Sequence, residues 1–296
     1  MSGKVLVNLV ENSTDSLPLS DFIYNRCDRQ KRESFLTFQV FENNKTCFIH
    51  GWYENNEGRL GVWNTPISKV AIKKIVKLMY SNNKRIKRVV IEFSLHKIGY
   101  TERNPHFEIQ LSKNKEDLLQ RMRGKHLRQV SSMKRKLASE FGEEKLLEYS
   151  INNCPDYIYD FYAENKRDTK GITISLSKDD YFKKYYVTDV YALTFGEKVV
   201  SVILSCEQCT IAYLENLTYD LALAKYSPGK LLYIDYLCEL VEKGKSTLYL
   251  GGGNYEYKKQ FDSIQTDTYY CVVPRSGILV PYLKFKYFVK RLLGRD

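Results

Sequence analysis

The hydrophobic pattern of the chain predicts the same order of elements twice. In each half, three strand-like runs separated by short turns lead to a stretch with apolar residues at helical spacing, and then to a buried strand. The first set is Phe35–Glu42, Lys45–Glu54, Arg59–Asn64, the helix Ser68–Tyr80 and Val89–Ser94. The second set is Val190–Phe195, Val199–Ser205, Thr210–Tyr219, the helix Pro228–Lys243 and Thr247–Leu250. An internal duplication explains this order economically, although ordinary α+β regularity could also produce it.

Two further helices are predicted between the repeated sets. The longer one covers about Lys115 to Phe141, and the shorter one covers Pro155–Lys166. The long helix has a stripe of apolar residues at helical spacing, which are Leu119, Met122, Val130, Met133 and Leu137.

The composition is that of an ordinary globular protein. The chain has 296 residues, of which 43% are hydrophobic and 27% charged, which argues against wholesale disorder. No apolar run reaches the roughly 20 residues that cross a bilayer, and the first residues lack the features of a signal peptide. We therefore expect a cytoplasmic protein whose seven cysteines are reduced thiols. Its four histidines have no ligand spacing, so we expect no metal.

The net charge of +11 is confined to two segments. Residues 113–136 hold nine lysines and arginines against two acidic residues, and residues 283–296 hold five against one. Together these segments account for the whole excess, so the rest of the chain is neutral overall. A protein that binds nucleic acid over its surface would be more uniformly basic, and we expect no DNA partner.

One segment between a predicted strand and a predicted helix has the features of an anion-binding turn. Its sequence is Tyr226-Ser-Pro-Gly-Lys-Leu-Leu232. Ser227 suits the N-cap and Pro228 the first helical position, where no amide hydrogen is needed. Three amides would then be unpaired at the positive end of the helix dipole and could bind phosphate, those of Gly229, Lys230 and Leu231. A well-capped helix without a ligand explains the same residues equally well.

This turn and a second motif resemble a known family. The turn is followed by the helix, Gly244, a strand and the run Gly251-Gly-Gly-Asn-Tyr-Glu-Tyr-Lys-Lys-Gln-Phe261. Over about residues 115–275 this order resembles the GNAT-type acyltransferases of the CelD and FemAB branch. In that branch a Ser-Pro-Gly turn stands in place of the pyrophosphate loop, and a Tyr-Lys pair follows the next strand. FemAB-like proteins contain two GNAT-like halves, which the repeated order of elements matches.

The resemblance implies an α+β fold of tandem GNAT-like halves, each a mixed, mostly antiparallel sheet flanked by helices. We expect an N-terminal half at 1–112, a donor-binding half at 113–277 and a basic amphipathic helix at 278–296. The resemblance also implies that an acyl-CoA, such as acetyl-CoA, places its pyrophosphate on the turn. The acceptor would then be an amine or a hydroxyl in a cleft between the halves. The implied donor-binding residues are Ser227, Gly229, Lys230 and Leu231.

Four residues are candidates for catalysis, because acyl transfer needs a base for the acceptor and a proton for the leaving thiolate. Glu215 lies on the strand that enters the turn, where apolar neighbours would desolvate it and make it a better base. Asp220 ends that strand and matches an aspartate often seen there in the branch. Either carboxylate could be the base, and either could instead face solvent or cap the turn. Tyr257 or Tyr219 could protonate the thiolate.

Four further residues are considered for binding the acceptor. Lys258 could contact a phosphate of the donor or of the acceptor. His50 and His96 fall at predicted strand ends of the first half and could line the cleft. His126 lies on the apolar stripe of the long helix, where a packing role is the simpler explanation. The basic residues of that helix could attract an anionic acceptor or could be a solvated face.

The sequence therefore predicts a GNAT-type N-acyltransferase that uses acyl-CoA. Its expected acceptor is a nucleotide- or lipid-linked amino sugar, a precursor of a bacterial surface polysaccharide such as O-antigen. One alternative is a FemAB-like transferase that uses aminoacyl-tRNA, and another is a non-catalytic GNAT-fold module that binds a membrane or an anion. The C-terminal basic helix could also contact an anionic membrane peripherally.

Overall fold

The computed structural model describes residues 5–10, 35–62, 67–121, 124–185, 187–208, 210–252, 258, 263–276 and 281. Its strands are β1 (Leu6–Val10), β2 (Phe35–Glu42), β3 (Lys45–Glu54), β4 (Glu57–Gly61), β5 (Arg88–Ser94), β6 (Tyr100–Arg103), β7 (His106–Gln110), β8 (Glu144–Ser150), β9 (Asp189–Phe195), β10 (Lys198–Gln208), β11 (Ile211–Tyr219), β12 (Thr247–Gly252), β13 (Ile264–Thr266) and β14 (Tyr269–Pro274). Its helices are α1 (Lys69–Asn82), α2 (Lys115–Arg121), α3 (Gly124–Phe141), α4 (Asp156–Lys170), α5 (Lys178–Tyr185) and α6 (Pro228–Glu242), with a 3₁₀ turn over Leu221–Tyr226.

The strands form two seven-stranded sheets, and each sheet belongs to its own compact unit. The first sheet has the order β1-β2-β3-β4-β5-β14-β6. Its unit comprises Met1–His106, Gly252–Asn254 and Thr266–Asp296. The second sheet has the order β13-β7-β12-β11-β10-β9-β8. Its unit comprises Phe107–Gly251 and Tyr255–Gln265.

Both units contain the same local arrangement of strands and helix. In the first, β3 pairs antiparallel with β4, α1 follows, and β5 pairs parallel with β4. In the second, β10 pairs antiparallel with β11, α6 follows, and β12 pairs parallel with β11. This is the order that the hydrophobic pattern predicted twice. The two mixed sheets flanked by helices confirm the expected α+β fold of tandem GNAT-like halves.

Helices on both faces of the second sheet explain why its central strands are apolar throughout. In β9, six of the seven residues are buried. Residues such as Tyr191 and Leu193 pack in one core with α3 and α6, whereas Val190 and Ala192 pack in another with α4 and α5. A strand that is covered on both faces loses the alternation of polar and apolar residues.

Three predictions concern the chain between and after the repeated sets. The predicted long helix over Lys115–Phe141 is described as two helices, α2 and α3, with residues 122–123 outside the described part. Strand β7, from the predicted first half, belongs to the second sheet, and β14, from the predicted second half, pairs with β5 and β6 in the first. Of the predicted helix at 278–296, only residue 281 is described.

No helix among the described residues is long and apolar enough to cross a membrane.

The end of α3 is fixed against the turn between β9 and β10. Gly196, in that turn, has a positive φ of 57°, and its amide donates a hydrogen bond of 2.8 Å to the Glu143 carbonyl. A Cβ at Gly196 would lie 2.3 Å from the carbonyl oxygen of Phe141, the last residue of α3. A glycine is therefore needed both for the backbone conformation and for the space.

We expect Gly196→Ala to destabilise the protein much more than Gly244→Ala. Both glycines have positive φ, but a Cβ at Gly244 meets nothing within 4 Å. Gly244→Ala should therefore cost about 1–2 kcal/mol of unfolding free energy for the left-handed conformation alone. Gly196→Ala should cost about 3 kcal/mol or more, because the carbonyl of Phe141 must also move. Urea unfolding of the two variants measures the difference, and equal losses would contradict the contact.

Candidate functional site

The turn between β11 and α6 is shaped by Ser227. This residue occupies the N-cap position with φ 53° and ψ 48°, in the left-handed region, and its side chain makes no capping hydrogen bond. Its carbonyl instead accepts hydrogen bonds from the amides of Lys230 at 2.9 Å and Leu231 at 3.2 Å. The expectation of three unpaired amides is therefore wrong for two of them, because the helical ladder begins at the Ser227 carbonyl. The Gly229 amide is the one of the three that this carbonyl does not engage.

The other residues of the turn are buried to different degrees. Gly229 is buried, and a Cβ there would lie 2.8 Å from Leu217 Cδ2 and 3.1 Å from Tyr219 Cδ1, so the start of α6 rests on β11. Leu231 is a core residue. Lys230 is half-buried, and burial lowers the pKa of its ammonium group. A bound anion would favour the charged form of Lys230.

Strand β11 pairs with β10 over a longer stretch than with β12. It pairs antiparallel with β10 from Ile211 to Tyr219, whereas its parallel pairing with β12 covers Ile211–Tyr213. Where this pairing ends, Gly251 of β12 has φ 69°, and a Cβ there would lie 2.5 Å from the Tyr213 hydroxyl oxygen. The rest of β11 runs on to the turn beyond the segment that pairs with β12.

A β-bulge places Glu215 in this part of β11. Leu204 of β10 pairs with Asn216 and Ser205 pairs with Leu214, so Glu215 is the additional residue. Leu214 packs in the core with α3 and α6, and so does Leu217 three residues later. The bulge therefore turns two consecutive side chains, Glu215 and Asn216, toward α4 and α5.

Two buried tyrosines from these helices lie beside the bulge. Tyr162 of α4 and Tyr181 of α5 share a hydrogen bond of 2.8 Å between their hydroxyl oxygens. Burial, together with the nearby charge of Glu215, raises the pKa of both phenols, so both stay protonated at neutral pH. Asn216 hydrogen-bonds Tyr181 and accepts a hydrogen bond from Lys166 of α4. The cluster thus combines a carboxylate with two protonated hydroxyl groups and an amide.

Asp220 has structural partners. It precedes the 3₁₀ turn, and its Oδ1 accepts a hydrogen bond of 2.9 Å from the Ala222 amide. Its Oδ2 lies 3.1 Å from Nζ of Lys198. These contacts agree with the alternative interpretation of Asp220, in which it caps the turn.

Lys258 is a buried cation that contacts a carbonyl and an aromatic ring. Its side chain is 2% exposed, its Nζ donates to the Gly251 carbonyl at 3.3 Å and lies 5.6 Å from the centroid of the Phe107 ring. Burial lowers its pKa to about 8. Tyr257 lies outside the described residues.

The range that holds these residues matches a family model. Residues 157–259 match the acetyltransferase (GNAT) domain. This part of the chain is therefore similar to a GNAT acetyltransferase domain. The match covers the turn, the bulge, both tyrosines and Lys258, and it confirms the resemblance drawn from the two motifs. A GNAT domain indicates a transferase.

Solved structures share the fold of most of the chain. FemX superposes with a TM-score of 0.56 at 8% identity, covering 83% of this chain and 90% of FemX. The C-terminal domain of an Agrobacterium fabrum protein, provisionally assigned as a lysylphosphatidylglycerol synthetase, gives 0.55 at 10% identity and coverages of 92% and 97%. L-PGS from Bacillus licheniformis gives 0.53 at 12% identity and coverages of 88% and 90%. At these identities the likeness shows the fold. No curated protein matches the chain.

The histidines predicted to bind the acceptor are not part of the GNAT domain's turn or bulge. His50 lies in the middle of β3 rather than at a strand end, is 0% exposed, and its Nδ1 is 3.3 Å from Thr37 Oγ1. Burial lowers its pKa to about 4, so it is a neutral core residue of the first unit. His96 Nε2 lies 2.9 Å from the Ile67 carbonyl oxygen. His126 belongs to α3, and its side chain is outside the described part.

The sequence analysis missed Tyr162, Tyr181 and Asn216. One signal for the bulge was present, since the inward-facing Leu214 and Leu217 are three residues apart, where a regular strand has even spacing. The tyrosines carried no such signal, because α4 and α5 contain several aromatic residues at helical spacing. Within the described residues, no group of three or more histidine, cysteine or acidic side chains could hold a metal ion.

We expect the stability of the wild-type protein to rise with pH relative to that of Lys258→Met. The folded pKa of Lys258, about 8, is below its ordinary value of 10.5, so the unfolded chain binds more protons between these values. Burial of the charge therefore costs stability at pH 7, and the cost disappears as the pH rises through 8 to 10.5. Across that range the wild type should gain up to about 3 kcal/mol over the variant.

Urea unfolding at pH 7, 8.5 and 10 measures this gain. Lys183→Met, which removes an exposed lysine of α5, is the matched control and should show a flat difference from the wild type. A flat difference for Lys258→Met as well would contradict the lowered pKa.

Proposed function

We propose that the GNAT domain binds an acyl-CoA, with acetyl-CoA as the simplest donor, and transfers the acyl group to an amine. The observation that carries this proposal is the end of β11–β12 pairing at Tyr213, followed by the Ser-Pro-Gly turn at the end of β11. An extended thioester could lie along β11 beyond Tyr213 and bring its pyrophosphate to the turn. The Gly229 amide and the Lys230 ammonium group would then bind the phosphates.

The proposed general base is Glu215. It lies on β11 between the end of the β12 pairing and the turn, where the thioester carbon of such a donor would lie. Tyr162 and Tyr181 lie close enough to its carboxylate for the charge of Glu215 to add to burial in raising the pKa of both phenols. Asp220 is a weaker candidate, because its oxygens already bind the Ala222 amide and Lys198. Tyr219 and Tyr257 remain the proposed proton donors to the leaving thiolate.

The proposed acceptor is an amino sugar that carries phosphate, linked to a nucleotide or a lipid, on the way to a bacterial surface polysaccharide such as O-antigen. Exposed basic residues of α3 support an anionic acceptor, namely Arg128, Arg135 and Lys136. Lys134 is less available, since its Nζ lies 2.7 Å from Asp235 and also binds Glu144. In this proposal Lys258 holds a phosphate only if the buried amine becomes accessible.

A second candidate donor is aminoacyl-tRNA, as in the FemAB branch, and the likeness of fold to FemX favours it. Binding of tRNA would fall steeply with salt, because counterions are released from the nucleic acid. A non-catalytic module that binds an anionic membrane through the segment 278–296 is the third candidate. Activity that survives nuclease treatment would exclude the tRNA donor.

Calorimetric titration with acetyl-CoA tests the donor. We expect micromolar binding to the wild type and at least tenfold weaker binding to Lys230→Ala, because the half-buried ammonium group would lose its contact with phosphate. Gly229 is unsuitable for this test, since a side chain there would collide with Leu217 and Tyr219. Lys183→Ala is the matched control and should bind like the wild type. No binding to the wild type would exclude acetyl-CoA and leave tRNA or a longer acyl-CoA as the donor to test.

Two carboxamide variants separate the candidate bases. With an amino sugar that gives turnover, Glu215→Gln should lower kcat by about 10²–10⁴, as expected when a general base is lost. Asp220→Asn should lower kcat less than about tenfold but reduce stability by about 1 kcal/mol, because it weakens the cap and the ion pair with Lys198. Release of free CoA thiol measures kcat. The reverse order of effects would assign the base to Asp220.

A further inference from the structure

A hydrogen bond connects α3 to the turn over residues 226–232, which is called the donor turn below. Tyr226, the last residue of the 3₁₀ turn, is 6% exposed, and its hydroxyl donates to the carboxylate of Glu140. Glu140 lies in the last turn of α3 and is itself exposed. A tyrosine bonded to a carboxylate has one of the stronger hydrogen bonds available to a neutral donor, because the acceptor is ionised.

A second set of contacts connects the start of the 3₁₀ turn to the same end of α3. Asp220, which begins the turn, pairs with Lys198 at 3.1 Å. Nζ of Lys198 also lies 4.9 Å from the ring centroid of Phe141, the last residue of α3. Both ends of the six-residue turn are therefore connected to the last two residues of α3.

The end of α3 is itself held in place independently of the turn. The Phe141 carbonyl fills the space beside Gly196 in the turn between β9 and β10. Two helical turns before Phe141, Lys134 pairs with Asp235 of α6 at 2.7 Å and with Glu144 of β8. The last turns of α3 thus form a fixed support against which the donor turn can be positioned.

We propose that Glu140 is a positioning residue for the donor turn and acts through Tyr226. The left-handed Ser227 directly follows Tyr226, so the direction in which the Gly229 amide and Lys230 point depends on where Tyr226 is held. This inference rests on the proposed function, because the turn is taken to bind the pyrophosphate of the donor. Neither Glu140 nor Tyr226 needs to touch the donor.

The experiment is a double-mutant cycle with coenzyme A as the probe. Tyr226→Phe and Glu140→Gln should each weaken binding about tenfold, measured by calorimetry, and the double variant should bind no more weakly than the weaker single variant. If an acceptor gives turnover, the donor KM should rise in each variant while kcat at saturating donor stays within about twofold of the wild type.

Tyr191→Phe is the matched control. The Tyr191 hydroxyl donates a hydrogen bond of 2.5 Å to Glu207, so this variant also removes a tyrosine–carboxylate bond from the same unit. Glu207 lies six residues along β10 from Ser201, which pairs with Tyr219 next to the donor turn, and is therefore about 20 Å away. Since the Glu207 side chain is 4% exposed, Tyr191→Phe should lose at least as much stability as Tyr226→Phe. Its affinity for coenzyme A should not change.

The inference is overturned if Tyr226→Phe binds coenzyme A like the wild type, or if Tyr191→Phe weakens binding equally. Hydrogen exchange of residues 221–232 is a second readout that needs no ligand. Faster exchange in Tyr226→Phe and Glu140→Gln, but not in Tyr191→Phe, supports the positioning role even if the wild type binds no coenzyme A. A failure of the wild type to bind coenzyme A would count against the proposed donor alone. Equal exchange in all three variants overturns the inference.

Discussion

The second unit depends on a strand that must stay in register with one neighbour while it leaves the other. β11 keeps its antiparallel pairing with β10 to Tyr219, but its parallel pairing with β12 covers three residues. A strand that is hydrogen-bonded to neighbours on both sides has no free backbone amide or carbonyl group for a ligand. The bulge at Glu215 adds a polar residue where β11 has left β12, and Gly229 lets α6 begin directly against the end of the strand. The position of the candidate site is therefore determined by how β11 pairs with its two neighbours.

Some lysines of the chain form internal ion pairs and are therefore less available to bind a partner. Lys134 is paired with Asp235 and Glu144, and Lys198 with Asp220, so these cations hold α3, α6, β8 and the 3₁₀ turn together. Arg128, Arg135 and Lys136 remain on the exposed face of α3. Lys134 and Lys198 are therefore less available to a partner than the exposed basic residues of α3. A positive segment in a sequence can be in part a set of internal contacts.

The repeated elements were predictable because their strands and helices have strong, regular hydrophobic periods. The turn at Ser227 was predictable from residue type, as Ser, Pro and Gly each have a positional preference. Three features were not. The left-handed backbone of Ser227 is uncommon for a non-glycine residue, the bulge interrupts a period of two, and the placement of β7 and β14 depends on strand pairing between distant segments. Tyr162 and Glu140 gain their roles from such distant contacts, and no local pattern marks them.

The position of β14 has a consequence for how the chain is made. β14 lies between β5 and β6 and pairs with both, although the chain forms the strands of the second unit before it returns to Tyr269–Pro274. During synthesis, β5 and β6 leave the ribosome more than 160 residues before their shared neighbour. The first sheet stays open at this place until Tyr269–Pro274 has been made, by which time the strands of the second sheet have all been made. The unit made first is therefore the one whose sheet closes last.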